Sequence, residues 1–116
     1  MARSEELYLR DIAESLEILE GYVAGLSYED FLNDLMFQDA VIRRLEIVGE
    51  AAAHVSGPTR DRHPHVEWRS IVAFRNFAIH AYFSVDLAIV WTTATVNAPR
   101  LASLIGNVID QEYPEP

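Results

Sequence analysis

Residues 68–82 read WRSIVAFRNFAIHAY, and this stretch decides the fold. A helix over this range, at about 100° per residue, is apolar on most of its surface, which is typical of a helix buried on more than one side. A chain of 116 residues has room for one core, so the second covering surface is expected to be another copy of the chain. The stretch therefore predicts a homodimer formed through this helix.

The polar residues of this helix fall on two faces. Asn76 and His80 are four residues apart and stack on one side of the helix. Arg75 lies on another side, in the middle of an apolar stripe. That stripe also includes Trp68, Ile71, Val72, Ala78, Ile79 and Tyr82.

Two helix starts can be recognised near the N-terminus. Ser4 is a candidate N-cap, and Ser27 is followed three residues later by Asp30, which is the pattern of a capping box. The first helix is predicted to be amphipathic, and a short second helix should follow Ser27. The apolar face of the first helix is formed by Tyr8, Ile12, Leu16, Leu19 and Val23.

A third helix is expected from residue 33 or 34 to residue 54, with Gly57-Pro58 stopping it. Gly49 and the three alanines after Glu50 make a smooth patch on this helix. Because glycine lowers helix propensity, its presence suggests that another helix approaches closely at this point. The buried stripe of the third helix should consist of Val41, Leu45, Val48, Ala52 and Val55.

Residues 56–66 are predicted to form a polar connector that includes about one helical turn. A last helix should run from Ser84 or Val85 to about Asp110, with a kink at Pro99, which lies off its apolar face. No segment shows the alternation of a strand. The predicted fold is all-α, a four-to-five-helix antiparallel up-and-down bundle, with one domain over residues 1–116.

Composition excludes several classes of protein. Without cysteine there can be no disulfide, thiolate nucleophile or cysteine-ligated zinc. No apolar run approaches the length of about 20 residues that spans a bilayer, and the N-terminus lacks a signal peptide, so we expect a cytoplasmic protein.

The chain carries 18 acidic residues and 9 basic ones, all arginine. Six of these arginines lie between residues 43 and 75, which makes the middle of the chain locally basic.

Arg75, His80 and Asn76 suit the cleavage of a phosphodiester without a metal. A neutral imidazole can take the proton of a ribose 2′-hydroxyl, and a guanidinium can stabilise the charge that develops on phosphorus. Arg75 and His80 are, however, about 140° apart on an ideal helix. They can converge only if the helix loosens near His80, or if Arg75 of one subunit faces His80 of another.

Each of these residues also has a structural interpretation. Arg75 can be a buried arginine that pairs with Glu46 or Glu50 of the third helix. His80 and Asn76 can be a hydrogen-bonded pair at an interface.

Other polar residues in the middle of the chain can likewise have either a functional or a purely structural role. Tyr82 can be a core tyrosine with a bound hydroxyl. His63 and His65 flank a proline and could be metal ligands. The sequence does not favour a metal site there, because the two histidines lack helical spacing and have no carboxylate pair nearby. Arg43 and Arg44 can simply be a solvated helix face. They become candidates for a functional role only if they lie beside the His80 site.

The string Arg75-Asn76-x-x-x-His80-x-Tyr82 resembles the Arg-x4-His-x-Tyr motif of the HepT-like branch of the HEPN (higher eukaryotes and prokaryotes nucleotide-binding) superfamily. The likeness covers nearly the whole chain. One departure is Ala81, where relatives often carry a polar residue. The flanking segments that look like the same family are Tyr8-Leu9-x-Asp11-Ile12, Leu26-Ser27-Tyr28-x-x-Phe31, Gln38-Asp39-Ala40-Val41-Ile42-Arg43, Leu45-Glu46-x-x-Gly49-Glu50-Ala51-Ala52, Pro64-x-x-x-Trp68-Arg69 and Tyr82-Phe83-x-Val85-Asp86-Leu87-x-x-Val90-Trp91.

The resemblance implies the toxin of a type VII-like toxin–antitoxin pair, a homodimer with a metal-independent endoribonuclease site along its interface. It carries Arg75 and His80 to the catalytic positions and makes Asn76 an assistant. The implied partner is a minimal nucleotidyltransferase antitoxin, which silences the toxin by transferring AMP to Tyr82. No cofactor or metal is implied.

For the RNA substrate, Arg43, Arg44 and Arg69 are candidate contacts. Two alternative functions stay open. One is a non-catalytic HEPN module that binds the nucleotidyltransferase, and the other is a purely structural helical dimer.

Overall fold

The computed structural model describes residues 3–77 and 86–116. His80 and Tyr82 lie outside the described residues, as do the predicted end of the fourth helix and the predicted start of the last. The α-helices are α1 (Glu5–Val23), α2 (Tyr28–Leu32), α3 (Leu35–Ala52), α4 (Gly57–Arg62), α5 (Trp68–Val72), α6 (Leu87–Thr92) and α7 (Ala98–Glu112). A 3₁₀ segment (Ala73–Asn76) follows α5, and a π-helical turn (Thr93–Asn97) joins α6 to α7.

The predicted helix starts are confirmed. The Ser4 hydroxyl accepts a hydrogen bond from the backbone N–H of Leu7 over 3.3 Å. At α2, the Ser27 hydroxyl accepts from the N–H of Asp30 over 3.1 Å, and the Asp30 carboxylate accepts from the N–H of Ser27 over 2.8 Å. This reciprocal pair is a capping box. Asp34 caps α3 without a reciprocal bond, since its carboxylate accepts from the N–H of Phe37 over 3.1 Å.

Contacts at the helix ends show that successive long helices alternate in direction. Glu5, at the start of α1, accepts a hydrogen bond from the N–H of Ser56, which follows α3. The ends of α4 and α7 meet where Arg62 binds Glu112. Since α5 starts at this end of the bundle and packs back along α3, the order is up, down, up, down. The predicted all-α bundle is confirmed.

The core lies where α1 packs against α3 and α7. Within residues 3–77 and 86–116 there is no strand, and none of the helices is long and apolar enough to cross a membrane. Tyr8 and Val23 are only partly buried, and Leu9 takes a place in the core that was not predicted. The other stripe residues of α1 and α3 are buried as predicted, namely Ile12, Leu16, Leu19, Val41, Leu45, Val48, Ala52 and Val55.

The fourth helix is not one continuous α-helix, contrary to the prediction. Trp68 and Ile71 are buried on α5 as expected, but Ala73–Asn76 forms a 3₁₀ segment with three residues per turn. The α-helical spacing therefore does not apply at Arg75. Its side chain is exposed instead of lying in a buried stripe.

Gly57-Pro58 begins a helix, whereas it was predicted only to end one. α3 ends at Ala52, and the Ser56 hydroxyl then accepts a hydrogen bond from the N–H of Thr59 to cap α4. Proline suits the first turn of a helix because the N–H that it lacks has no partner there.

The last helix is distorted near Pro99, as predicted, although the distortion lies one turn earlier. Pro99 has no N–H to donate to the carbonyl of Thr95. The N–H of Ala98 bonds to the carbonyl of Thr93, five residues back, so the turn before the proline is widened. The Thr95 hydroxyl donates to the carbonyl of Trp91 over 2.7 Å.

Candidate functional site

The backbone of Arg75 lies directly against Gly49. A Cβ at Gly49 would be 2.7 Å from the backbone nitrogen of Arg75, 3.1 Å from its Cγ and 3.0 Å from the carbonyl oxygen of Ile71. Real side chains do not approach backbone atoms this closely, so only glycine permits this contact. The packing role predicted for Gly49 is confirmed. It brings the 3₁₀ segment onto α3 and fixes the position of Arg75.

The guanidinium of Arg75 reaches Glu50, with 3.4 Å between Nη1 and Oε2. The predicted alternative of a pair between Arg75 and an acid of α3 is therefore correct for Glu50, but the pair is not buried. The side chain of Arg75 is 45% exposed and that of Glu50 is 59% exposed. The second oxygen of Glu50 lies 3.5 Å from Nε2 of His54. Arg75 is thus positioned at the surface, where a substrate can reach it.

A groove of about 390 Å³ runs beside Arg75 between α1 and α3. Arg43 lies in it as well and pairs with Glu46 over 2.8 Å. Each arginine of the groove already has a carboxylate partner, so an incoming anion must compete with Glu46 and Glu50. The lining residues are Tyr8, Asp11, Arg43, Glu46, Ile47, Glu50, Ala51 and Arg75.

An aromatic stack near the groove was not recognised from the sequence. The rings of Tyr8 and His54 lie parallel, with centroids 4.4 Å apart and planes inclined by 6°. Arg3 lies over the Tyr8 ring, 5.3 Å from its centroid, and pairs with Asp11 over 2.6 Å. His54 lies just after the end of α3, and its four-residue spacing from Glu50 was the one signal that could have placed it beside the carboxylate that pairs with Arg75.

Three further predicted site residues that the structure describes, Asn76, Arg44 and Arg69, do not line this groove. Asn76 is exposed at the end of the 3₁₀ segment. Among the candidate RNA contacts only Arg43 lines the groove, since Arg44 is half-buried on α3 and Arg69 is exposed on α5. Of the predicted site residues within 3–77 and 86–116, the groove therefore brings together Arg75 and Arg43.

A second polar cluster ties the end of α7 to α4. Glu112 receives two hydrogen bonds from Arg62 and contacts Nε2 of His63 over 2.9 Å. The hydrogen bond from Arg62, followed by that from His63, lowers the pKa of the Glu112 carboxyl to about 2. His63 is buried, and its carbonyl accepts from the Trp68 indole. This cluster holds the fold together at that end.

Histidine and carboxylate groups of the described residues do not form a metal site. In the ranges 3–77 and 86–116, no group of three or more histidine, cysteine or acidic residues could hold a metal ion. His65 is exposed, and its ring centroid lies 6.2 Å from that of His63.

A family model described as Ribonuclease HepT-like matches residues 12–108. The chain belongs to this family. A probable ribonuclease HepT of Thermococcus cleftensis is 43% identical over 101 residues, which cover 87% of this chain and 92% of that protein. A Caldanaerobacter subterraneus protein, whose name gives RNase as an unproven activity, is 35% identical over 90% of this chain and 94% of its own length.

A longer relative joins a similar segment to another function. A Methanocaldococcus jannaschii protein is named as a gamma-glutamylcyclotransferase and, without proof, as an RNase. It is 33% identical over 96% of this chain, which spans 50% of that relative. No solved structure matches the chain at a significant level.

Membership of the HepT-like family confirms the resemblance drawn from the motif. The matched region contains Arg75, Asn76, His80 and Tyr82. The groove beside Arg75 is the part of the site that the described residues form. The catalytic roles of Arg75, His80 and Asn76 and the modification of Tyr82 stay predictions.

Proposed function

We propose that the chain is an endoribonuclease that acts as the toxin of a type VII-like toxin–antitoxin pair. The observation that carries the proposal is the placement of Arg75. In a chain of the HepT-like ribonuclease family, this arginine is fixed against Gly49, exposed and beside a groove that contains a second arginine. A phosphate could enter this groove and exchange places with the Glu50 carboxylate.

The proposed reaction uses Arg75 of one subunit and His80 of its partner. The neutral imidazole of His80 takes the proton of a ribose 2′-hydroxyl, and the 2′-oxygen attacks the adjacent phosphorus. The guanidinium of Arg75 binds the non-bridging oxygens, which carry more charge in the pentacoordinate state. The bond to the 5′-oxygen breaks, this oxygen takes a proton from water, and the imidazolium of His80 gives its proton to the resulting hydroxide, which restores the neutral imidazole. The products are a 2′,3′-cyclic phosphate and a 5′-hydroxyl.

Asn76 is proposed to orient the scissile phosphate or the imidazole through its amide. Arg43 contacts the RNA backbone in the groove beside Arg75, and Arg44 and Arg69 add weaker contacts outside it. The partner is a minimal nucleotidyltransferase that silences the toxin by transferring AMP to Tyr82. Because none of these roles requires a metal ion, the reaction should proceed in a chelator.

The test offers labelled single-stranded RNA to the full chain, purified without its partner, in excess EDTA. We expect cleavage with cyclic phosphate ends, and a loss of about 100-fold or more in His80→Ala and in Arg75→Ala. Arg10→Ala is the matched control, because Arg10 is also an exposed arginine paired with a glutamate, Glu6. No cleavage by the wild-type chain, or equal cleavage by His80→Ala, would overturn the proposal.

The second candidate function is a non-catalytic module that binds the nucleotidyltransferase. The carboxylates of the groove favour it, because Asp11, Glu46 and Glu50 outnumber Arg43 and Arg75. On this hypothesis the chain binds RNA weakly, and His80→Ala leaves both partner binding and cell growth unchanged. If the chain is a toxin, its expression alone slows growth, and His80→Ala removes the effect.

A further inference from the structure

Exposed apolar side chains are concentrated at the corner between α2 and α3. Nine large apolar side chains are exposed among the described residues, and five of them lie between residues 26 and 36. Single exposed apolar residues are common, whereas a cluster of them marks a binding surface. Met36 and Leu35 are 80% and 71% exposed. We call Leu26, Tyr28, Leu32, Leu35 and Met36 the corner patch.

The backbone beneath the corner patch is held in one conformation. The capping box of Ser27 and Asp30 fixes the start of α2, and Phe31 anchors it in the core. The Gln38 side chain donates to the carbonyls of Phe31 and Leu32 over 3.0 and 3.3 Å. Because the corner is tied from both helices, the exposed side chains stand on a preformed surface and not on a loose loop.

A groove of about 590 Å³ adjoins this patch, and its charge is one-sided. Glu29, Asp30 and Asp34 line it together with Leu26 and Met36, and no basic residue is among the lining residues that the structure describes. Residues 11–42 of the sequence contain eight acidic residues and no basic one. The surface therefore combines apolar anchors with a strongly negative rim.

We infer that the corner patch docks a basic amphipathic helix of a partner protein. Leucine-like side chains of that helix would enter the groove beside Met36, and its lysine or arginine residues would face the acidic rim. The flexible side chain of Met36 can adapt to such a partner. This inference does not depend on the ribonuclease activity proposed above.

The charge argues against the other occupants of this surface. In a symmetric contact centred on this groove, the three groove carboxylates of each chain would lie close to those of the other, and no arginine among the described lining residues would offset them. RNA would meet the same repulsion. A basic protein is the partner that the observations favour.

The test uses two labelled helical peptides of about 18 residues with the same leucine positions and either lysine or glutamate on the polar face. Their binding to the full chain is followed by fluorescence anisotropy. We expect the lysine peptide to bind at least about tenfold more tightly than the glutamate peptide, and to weaken at least about tenfold between low and high salt.

Met36→Glu should weaken binding of the lysine peptide about tenfold or more, because it places a charge among the apolar anchors. Leu7→Glu is the control, since Leu7 is an exposed leucine of α1 outside the patch, and it should change binding less than about twofold. Circular dichroism of both variants should match the wild type.

Equal binding of the two peptides, or equal loss in the two variants, would overturn the inference. So would dissociation of a homodimer by Met36→Glu in sedimentation, or displacement of bound RNA by the lysine peptide. RNA cleavage is measured on the same variants and should be unchanged in Met36→Glu. If the chain cuts no RNA but binds the lysine peptide selectively, the ribonuclease proposal is refuted and the docking inference stands.

Discussion

Glu50 pairs with Arg75 at the surface of the protein, with 3.4 Å between the guanidinium and the carboxylate. An exposed pair of this kind contributes at most about 1 kcal/mol to the free energy of unfolding. The pair should affect anion binding more than it affects stability, because a phosphate that binds Arg75 must displace Glu50. The same carboxylate also contacts His54.

Glu50→Gln should therefore strengthen RNA binding several-fold and change the free energy of unfolding by less than about 1 kcal/mol. The measurements are anisotropy with a non-cleavable RNA and urea unfolding. Glu6→Gln is the control, since Glu6 is paired with an arginine in the same way but on α1, away from Arg75. An equal gain in the control would show that only the net charge matters.

Gly49→Ala should lower the free energy of unfolding by about 1–3 kcal/mol, because the new methyl group would collide with backbone atoms of Arg75 and Ile71. It should also reduce RNA cleavage, since Arg75 would be displaced. Gly106→Ala is the control on α7: a Cβ there meets nothing within 4 Å, so it should be neutral or stabilise by up to about 1 kcal/mol. Equal free energies of unfolding for the two variants would show that position 49 accepts a methyl group without a collision.

Stability should fall in acid through Glu112. The pKa of its carboxyl is lowered from 4.5 to about 2 in the folded protein, first by Arg62 and then by His63. The stabilisation is therefore complete above about pH 4.5 and is lost as the pH falls toward 2. Urea unfolding across this range should show a weaker pH dependence in Glu112→Gln than in the wild type. Glu115→Gln, in the exposed tail, should follow the wild type.

Mixing two inactive variants tests whether the site is shared between subunits. If Arg75 acts with His80 of the other chain, a dimer of Arg75→Ala with His80→Ala holds one intact site and one doubly defective site. Random exchange of subunits should then restore about a quarter of the wild-type RNA cleavage. Failure to recover any activity would assign Arg75 and His80 to sites within single chains.

The parts of the fold that the sequence predicted well are those set by local chemistry. Ser4 and Ser27 cap helices through hydrogen bonds that span three residues, and such signals can be recognised in one sequence. The buried stripes of α1 and α3 follow from helical spacing in the same way. Gly49 could be singled out because glycine inside a helix needs a reason.

The parts that could not be predicted depend on contacts between distant segments. The change from α to 3₁₀ geometry at Ala73 occurs where this segment packs against Gly49 of α3, a contact that no local pattern reports. The stack of Tyr8 on His54 joins a residue of α1 to one in the turn after α3. The pairing of Arg75 with an acid of α3 was predicted correctly, but its exposure was not, because it follows from the 3₁₀ segment.

The contact at Gly49 also restricts how the protein can change. The nearest atoms that face it are the backbone nitrogen of Arg75 and the carbonyl oxygen of Ile71, and every residue other than proline would present the same two atoms at those positions. A larger residue at position 49 therefore cannot be rescued by exchanging a neighbouring side chain. Random mutagenesis of a Gly49→Ala gene should yield revertants to glycine, but no compensating substitution at position 71 or 75.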